Sequence, residues 1–442
     1  MYKKTVATVL VIIALLLSPY VSQAQESQIP KEQIPNEENL AALKQKIESN
    51  PDDFDARFSY AKMASALGKN EVAAETYKYM LDSDPSLNRV KLDLGLLYQR
   101  MGRYNSAKEL YLDVLKSAPP EGVKKSIVQV LDAVNEVLKV HKFSGSVATG
   151  FNRDSNATAS ASSGLVLFLD NPIPLDEGSL RKKDSQVFIT GTINHSYRFD
   201  TEDESNLAVN WNSSATAYSS EQATQDDLNL MIISGKTGPT FAFKKQGVKL
   251  SVQGGYSYTV LNDVEYLKTT SGEATASKTI GDRMMVTLNG LFEGRIFENS
   301  PTISTFEDRN GEVYQAKLAW MFALTDKDSV GADISLRREE TKVVYLDNEQ
   351  FNIAGSYTRT FPYDVFFNAI ANKRTSRYDG PDPLISTTVR ADDETGGTLT
   401  LGKKLRGNVS ITVGYQYRNV KSNIQNYDFI NQRFSSSLIW NF

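Results

Sequence analysis

Cysteine is missing from the 442-residue chain. That excludes a disulfide framework, a thiolate metal site and a lipidated N-terminal cysteine. Histidine is almost as scarce, with only His141 and His195, so no His-based metal cluster and no Ser/His/Asp set can be built. No Gly-rich loop precedes a helix in the manner of a phosphate cradle. A charge excess of one sign is lacking too: 49 basic and 53 acidic residues give a formal net charge of -4, which offers nothing to nucleic acid. Past Leu17, no stretch reaches the ~20 consecutive apolar residues of a spanning helix. The reading is therefore of a chain that is not an enzyme, with no catalytic residues, no cofactor and no metal. Asp154-Ser155-Asn156 and Glu307-Asp308-Arg309-Asn310-Gly311 have the composition of calcium loops, but the turn-forming chemistry of Asp and Asn accounts for both.

What the chain does contain begins with a targeting signal. Lys3 and Lys4 precede an apolar run from Val6 to Leu17, and small residues follow at Ser22 and Ala24. Residues 1–24 read as a secretory signal peptide. A secreted chain without a spanning helix is either a soluble periplasmic protein or a β-barrel. Residues 25–37, rich in Gln, Glu and Asn with Pro30 and Pro35, read as a flexible leader.

From residue 38 to 140 the apolar period is helical. Pro51, Pro85 and Pro119 recur at intervals of 34, as do Gly68 and Gly102. That interval is the length of a tetratricopeptide repeat, a helix–turn–helix unit. Leu94, Gly95, Tyr98, Ala107, Tyr111 and Pro119 fit the second unit; Ala73, Tyr77 and Pro85 fit the first, where Ala61 and Ala64 replace the usual glycine and aromatic. Two repeats are fewer than the three a stack needs, so Leu40 to Ser49 and Val123 to Lys139 are expected to cap it. The first helix of each pair would line a concave groove, presenting Phe58, Lys62, Arg89, Leu92, Leu96 and Gln99 to a client peptide. Packing of the same residues on a capping helix is the plainer alternative.

After His141 the period becomes 2 and remains so to the C-terminus. Val248, Leu250, Val252, Tyr256, Tyr258 and Val260 alternate with polar residues, and so do Val187, Ile189, Ile193, Tyr197 and Phe199. The last run, Phe434, Ser436, Leu438, Trp440 and Phe442, ends the chain on an aromatic. Segments of about 10 alternating residues mark a transmembrane barrel. Six short polar breaks alternating with seven others predict about 14 strands, with both barrel termini at the short-turn side. Short turns belong in the periplasm, which puts the repeats there. Residues 141–442 thus read as an antiparallel outer-membrane β-barrel; the fold class is α + β, helical repeats followed by the barrel. Such a barrel is too wide to be filled by side chains. Arg198, Lys249, Glu293, Arg295, Asp333, Arg337, Arg374 and Arg418 are candidates for its lumen, either as a wetted wall of paired charges or as a guide for a translocating chain. His195 falls on the apolar face beside Tyr197.

Three short motifs stand out in the barrel half. Residues 150–159 read GFNRDSNATA; Ser422-Asn423-Ile424 is followed by Tyr427 and Asp428; and Arg374 and Arg377 precede Tyr378-Asp379. Together with the signal, the repeats and the terminal Phe442, they resemble the surface lipoprotein assembly modifier family. The repeat region is shorter than is usual there, and Ala61 stands in place of a glycine. The resemblance implies a monomeric outer-membrane translocator. Its partners would be a client lipoprotein or secreted protein, outer-membrane lipids and the barrel-insertion machinery. The repeats would recognise the client and the barrel would provide the route. The competing expectation is a pore, or a polysaccharide exporter with a periplasmic scaffold.

Overall fold

The computed structural model describes residues 35–199, 205–300 and 304–442. The signal segment 1–24, the leader up to residue 34 and the turn expected at 200–204 lie outside these. The chain divides between Lys139 and Val140 into a helical unit and a β unit.

Six α-helices are described in the first unit: α1 Glu37–Ser49, α2 Phe54–Ala66, α3 Asn70–Ser83, α4 Asn88–Met101, α5 Tyr104–Lys116 and α6 Glu121–Leu138. The starts of α1 and α2 follow from local chemistry. Asn36 Oδ1 accepts from the backbone N–H of Asn39 at 2.7 Å, and Asp53 Oδ1 accepts from that of Ala56 at 2.8 Å. Each bond satisfies an orphan donor of a first turn. The residues after α2 and α4 explain the repeated glycines: Gly68 and Gly102 hold φ of 77° and 76°, the left-handed conformation that ends a helix most cheaply in glycine. The α2/α3 and α4/α5 hairpins are offset by 34 residues, Phe54 to Asn88 and Asn70 to Tyr104. One core runs through all six helices, from Leu40 through Ala61, Ala73, Leu94 and Ala107 to Val134. Gly95 sits so close to the Tyr111 ring that a Cβ there would lie 2.8 Å from its Cε1.

The second unit is a closed antiparallel barrel of fourteen strands, as the alternation predicts. They are β1 (His141–Asp154) and then β4 to β16, which run from Asp184 to Asn441, each paired with its chain neighbour; β16 (Phe429–Asn441) closes onto β1. The short hairpin β2 (Leu165–Phe168) and β3 (Asn171–Pro174) lies apart from the barrel, in the loop after β1. One break differs from its expected extent. The 261–266 loop is a two-residue turn, because Asn262 and Asp263 both take left-handed φ, 49° and 60°. Two such residues in succession make the hairpin turn that matches strand twist, so β8 starts already at Val264.

Register assigns the two faces. Val147 stands between Trp440 and Gly191, Ile189 lies two residues along β4 on the same face, and along the wall Val252, Leu288, Ile334, Ile353, Leu399 and Val413 follow on that side. These residues are exposed, Ile189 by 55% and Leu288 by 55%. So broad an apolar surface is stable against hydrocarbon, not water. At the short-turn rim an aromatic cluster continues this face: Phe143 stacks on His195 at 4.6 Å and Tyr197 meets Phe199 edge-on at 4.9 Å. Closure removes the bare sheet edge that hydrocarbon forbids. Among the described residues, no helix is long and apolar enough to cross a membrane.

Candidate functional site

All eight lumen candidates fall on the inward face of the register, opposite the apolar belt. Arg198 and Lys249 lie at the short-turn end of their strands β4 (Asp184–Arg198) and β7 (Val248–Leu261). Glu293, Arg295, Arg337, Arg374 and Arg418 come together in the loop-side half. Arg295 Nε donates to Glu293 at 3.0 Å, and its Nη1 reaches Glu339 at 3.4 Å. Arg337 approaches the same Glu339 at 3.6 Å. Arg374 and Arg418 share Glu394, the latter at 2.9 Å, and the Arg418 guanidinium lies 5.1 Å over the Phe429 ring. Asp333 is paired with Lys317 at 3.0 Å. Glu339 and Glu394 were missed from sequence, although parity was sufficient to find them. In the Arg337-Arg338-Glu339-Glu340 run, the first and third residues face inward while Arg338 faces out and binds Asp379 at 2.6 Å.

The loop end of the barrel carries the three sequence motifs, and they meet there. Asp154 holds Arg433 at 2.9 Å and accepts from Asn431 Nδ2 at 2.6 Å. Asn156 is 1% exposed. Its Nδ2 donates to the Ser160 carbonyl at 2.9 Å, its Oδ1 accepts from Ser160 N–H at 3.1 Å, and its own N–H donates to Asn431 Oδ1 at 2.9 Å. The β2/β3 hairpin then reaches across to two other loops. Asn426 clasps both backbone groups of Leu167, at 2.6 and 3.1 Å. Asp170 accepts from the Ser386 hydroxyl and from Thr387 N–H at 3.1 Å. These donors, the hydroxyl foremost, hold its carboxyl below the usual range. In the same knot Arg390 stacks on Tyr427 at 3.3 Å and on Tyr378 at 4.5 Å while binding Asp392 at 2.7 Å. Asn423 Oδ1 accepts from Ala391 N–H at 2.7 Å, and Ile424 is 1% exposed. In the 307–311 run, Asn310 Oδ1 accepts from Phe297 N–H and Glu307 accepts from Asn299 Nδ2 at 3.0 Å, bonds that tie the loop across to the end of β9 (Met284–Phe297) and the residues after it.

On the helical unit, the structure gathers part of the expected groove. The Phe58 ring carries Arg89 at 5.4 Å and Lys62 at 5.8 Å, and both cations are exposed. Leu92 packs against the core edge, and Leu96 is half-buried. Gln99 is a correction. It is 8% exposed, and its Oε1 accepts from Tyr111 Oη at 2.8 Å; a long polar side chain on the helical stripe has turned inward to satisfy a buried phenol. Asp93 stands out in the structure alone. It lies near Lys62, Arg89 and Arg100, its Oδ2 is buried without a hydrogen-bond partner, and burial raises its pKa against the pull of those cations.

No family model matches the chain, and no curated protein matches it. Solved structures that resemble it are barrels. OmpT of Vibrio cholerae is 11% identical with a TM-score of 0.39, covering 68% of this chain and 97% of its own. The outer-membrane channel DcaP of Acinetobacter baumannii is 10% identical with a TM-score of 0.37, over 68% and 97%. A bacterial polysaccharide outer-membrane secretin is 9% identical with a TM-score of 0.35, over 67% and 98%. At such levels the functional reading rests on this chain's own residues.

Proposed function

We propose that the protein is an outer-membrane translocator that assists export or surface display of a client lipoprotein or secreted protein. The observation that carries the reading is one chain holding both a closed barrel with a wide, charge-lined interior and a short helical array. That array displays the Phe58 ring between two cations. The patch suits a peptide with apolar and acidic residues. Repeats of tetratricopeptide type on the periplasmic side would capture the client, and the barrel would offer its route. Catalysis, a cofactor and nucleic acid play no part in this reading. The test removes residues 35–139 behind an intact signal and follows surface display of an epitope-tagged lipoprotein or secreted protein co-expressed with the chain as its client. Surface display should be lost while the barrel still inserts; unchanged display would exclude the helical unit from recognition.

A second reading, passage of a saccharide polymer, draws on one feature. Phe188 and Tyr218 face the lumen and stack with centroids 6.2 Å apart, a small platform for a sugar ring. Steady conductance and polymer uptake in planar bilayers would favour it over the translocator.

A further inference from the structure

We propose that a recess in the lumen wall is a carboxylate-binding site for an acidic, extended peptide in transit. The proposal rests on the translocator reading and deepens it. The recess has a volume of about 460 Å³ and is lined by Gln315, Ser335, Arg337, Gln350, Asn352 and Arg374. These residues come from four adjacent strands, β10 (Gly311–Ala323) to β13 (Val365–Tyr378), and lie side by side in register: Gln315, Arg337 and Gln350 in one row, Ser335, Asn352 and Arg374 in the next. The lining has two guanidiniums and no carboxylate. The surrounding network holds three carboxylates, Glu293, Glu339 and Glu394, against four guanidiniums, Arg295, Arg337, Arg374 and Arg418. One positive charge is therefore left over at the recess.

The donors are not exhausted by the wall. A guanidinium offers five N–H groups in a planar fork, whereas Arg374 binds Glu394 through Nη2 and Arg337 meets Glu339 at 3.6 Å. Among the described residues, the side chains of Gln315, Ser335 and Asn352 make no hydrogen bond to the protein. Carboxamides carry a donor and an acceptor each, the complement of a peptide unit's C=O and N–H. Arginine forks suit a carboxylate bidentately. No aromatic ring lines the recess, so a sugar face finds nothing to stack on, which favours the peptide.

Each arginine can be removed without orphaning its carboxylate. Glu339 would keep Arg295, and Glu394 would keep Arg418. The full chain, purified in detergent, is titrated calorimetrically with end-blocked hexaglutamate, hexaglutamine and trigalacturonate. Heat-modifiable gel mobility verifies the fold of every variant. Hexaglutamate should bind, more weakly as salt rises, and hexaglutamine should not. Arg337→Gln and Arg374→Gln should each weaken binding roughly tenfold, and the double variant should abolish it. Lys278→Gln, which removes a charge from the outer face, should change nothing. No binding to the parent, equal binding to the folded double variant, or tighter binding of trigalacturonate than of peptide would each overturn the assignment. Failure of the display experiment alongside intact hexaglutamate binding would overturn the translocator reading and leave the carboxylate site standing.

Discussion

Replacing Asn156 by alanine should unlatch the long loop between β1 and β4 without unfolding the barrel. The side chain is 1% exposed and makes two well-formed hydrogen bonds to Ser160 and longer ones to Thr158 and Ile430, at 3.4 and 3.5 Å. Each ordinary hydrogen bond contributes about 0.5–1.5 kcal/mol, and orphaned buried groups cost more. The loss of docking energy is then about 2–3 kcal/mol. At about 1.4 kcal/mol per tenfold, the undocked population rises about 30- to 140-fold. The loop supplies its own reporter. Arg181 Nε donates to the Ser155 carbonyl at 2.8 Å, and the Lys182 carbonyl accepts from Ala157 N–H at 2.8 Å, so the tryptic sites at Arg181, Lys182 and Lys183 are tied to the same knot. Where opening is fast relative to cleavage, the cutting rate follows the open population. Limited trypsinolysis in detergent should therefore be faster by a comparable factor, while heat-modifiable mobility stays that of the parent. Asn156→Asp, which puts an oxygen where Nδ2 donates, should behave alike. A cleavage rate within twofold of the parent for both variants would refute the argument that Asn156 holds the loop down.

Three further outcomes follow from local geometry. Gly95→Val should lower the thermal midpoint of the helical signal, since the added atoms collide with a Tyr111 ring that is 4% exposed and bonded to Gln99; overpacking of this kind costs about 1–3 kcal/mol. An unaltered melt would show that α4 and α5 can part freely. Asp93→Asn should raise that midpoint at pH 7. Its folded pKa lies above the unfolded 3.8 because of burial, so the folded state binds more protons and stability falls as pH rises through that interval. The gain over the parent should shrink toward pH 4, and a gain independent of pH would discount the carboxyl's ionisation. Gly145→Val should impair barrel closure. Phe442 exchanges both backbone hydrogen bonds with Gly145 at 2.9 and 3.0 Å, and a Cβ there would lie 2.4 Å from the Phe442 ring and 2.5 Å from the Thr192 carbonyl. Loss of the heat-modifiable band is expected, and a normal band would argue against a tight seam.

Alternation along the chain was enough to sort the strands on which it is clear into an oily and a wet face. Arg337 inside and Arg338 outside is such a case, because the side-chain period of a strand is 2 whatever its neighbours are. The 34-residue spacing likewise foretold the hairpins from Gly68 and Gly102, whose left-handed ends are a local property. What periodicity does not carry is the identity of the partner. Asp154 meets Asn431 across 277 residues of sequence, and Asp170 meets Ser386 across 216. Closure of the sheet brings β1 beside β16, and the loop fold carries the hairpin over to residues 384–387; both are decided by the whole circuit. Gln99 turned inward for the same reason. A helical stripe shows which way a residue points, but only the neighbouring helix shows whether a buried hydroxyl waits there to be satisfied.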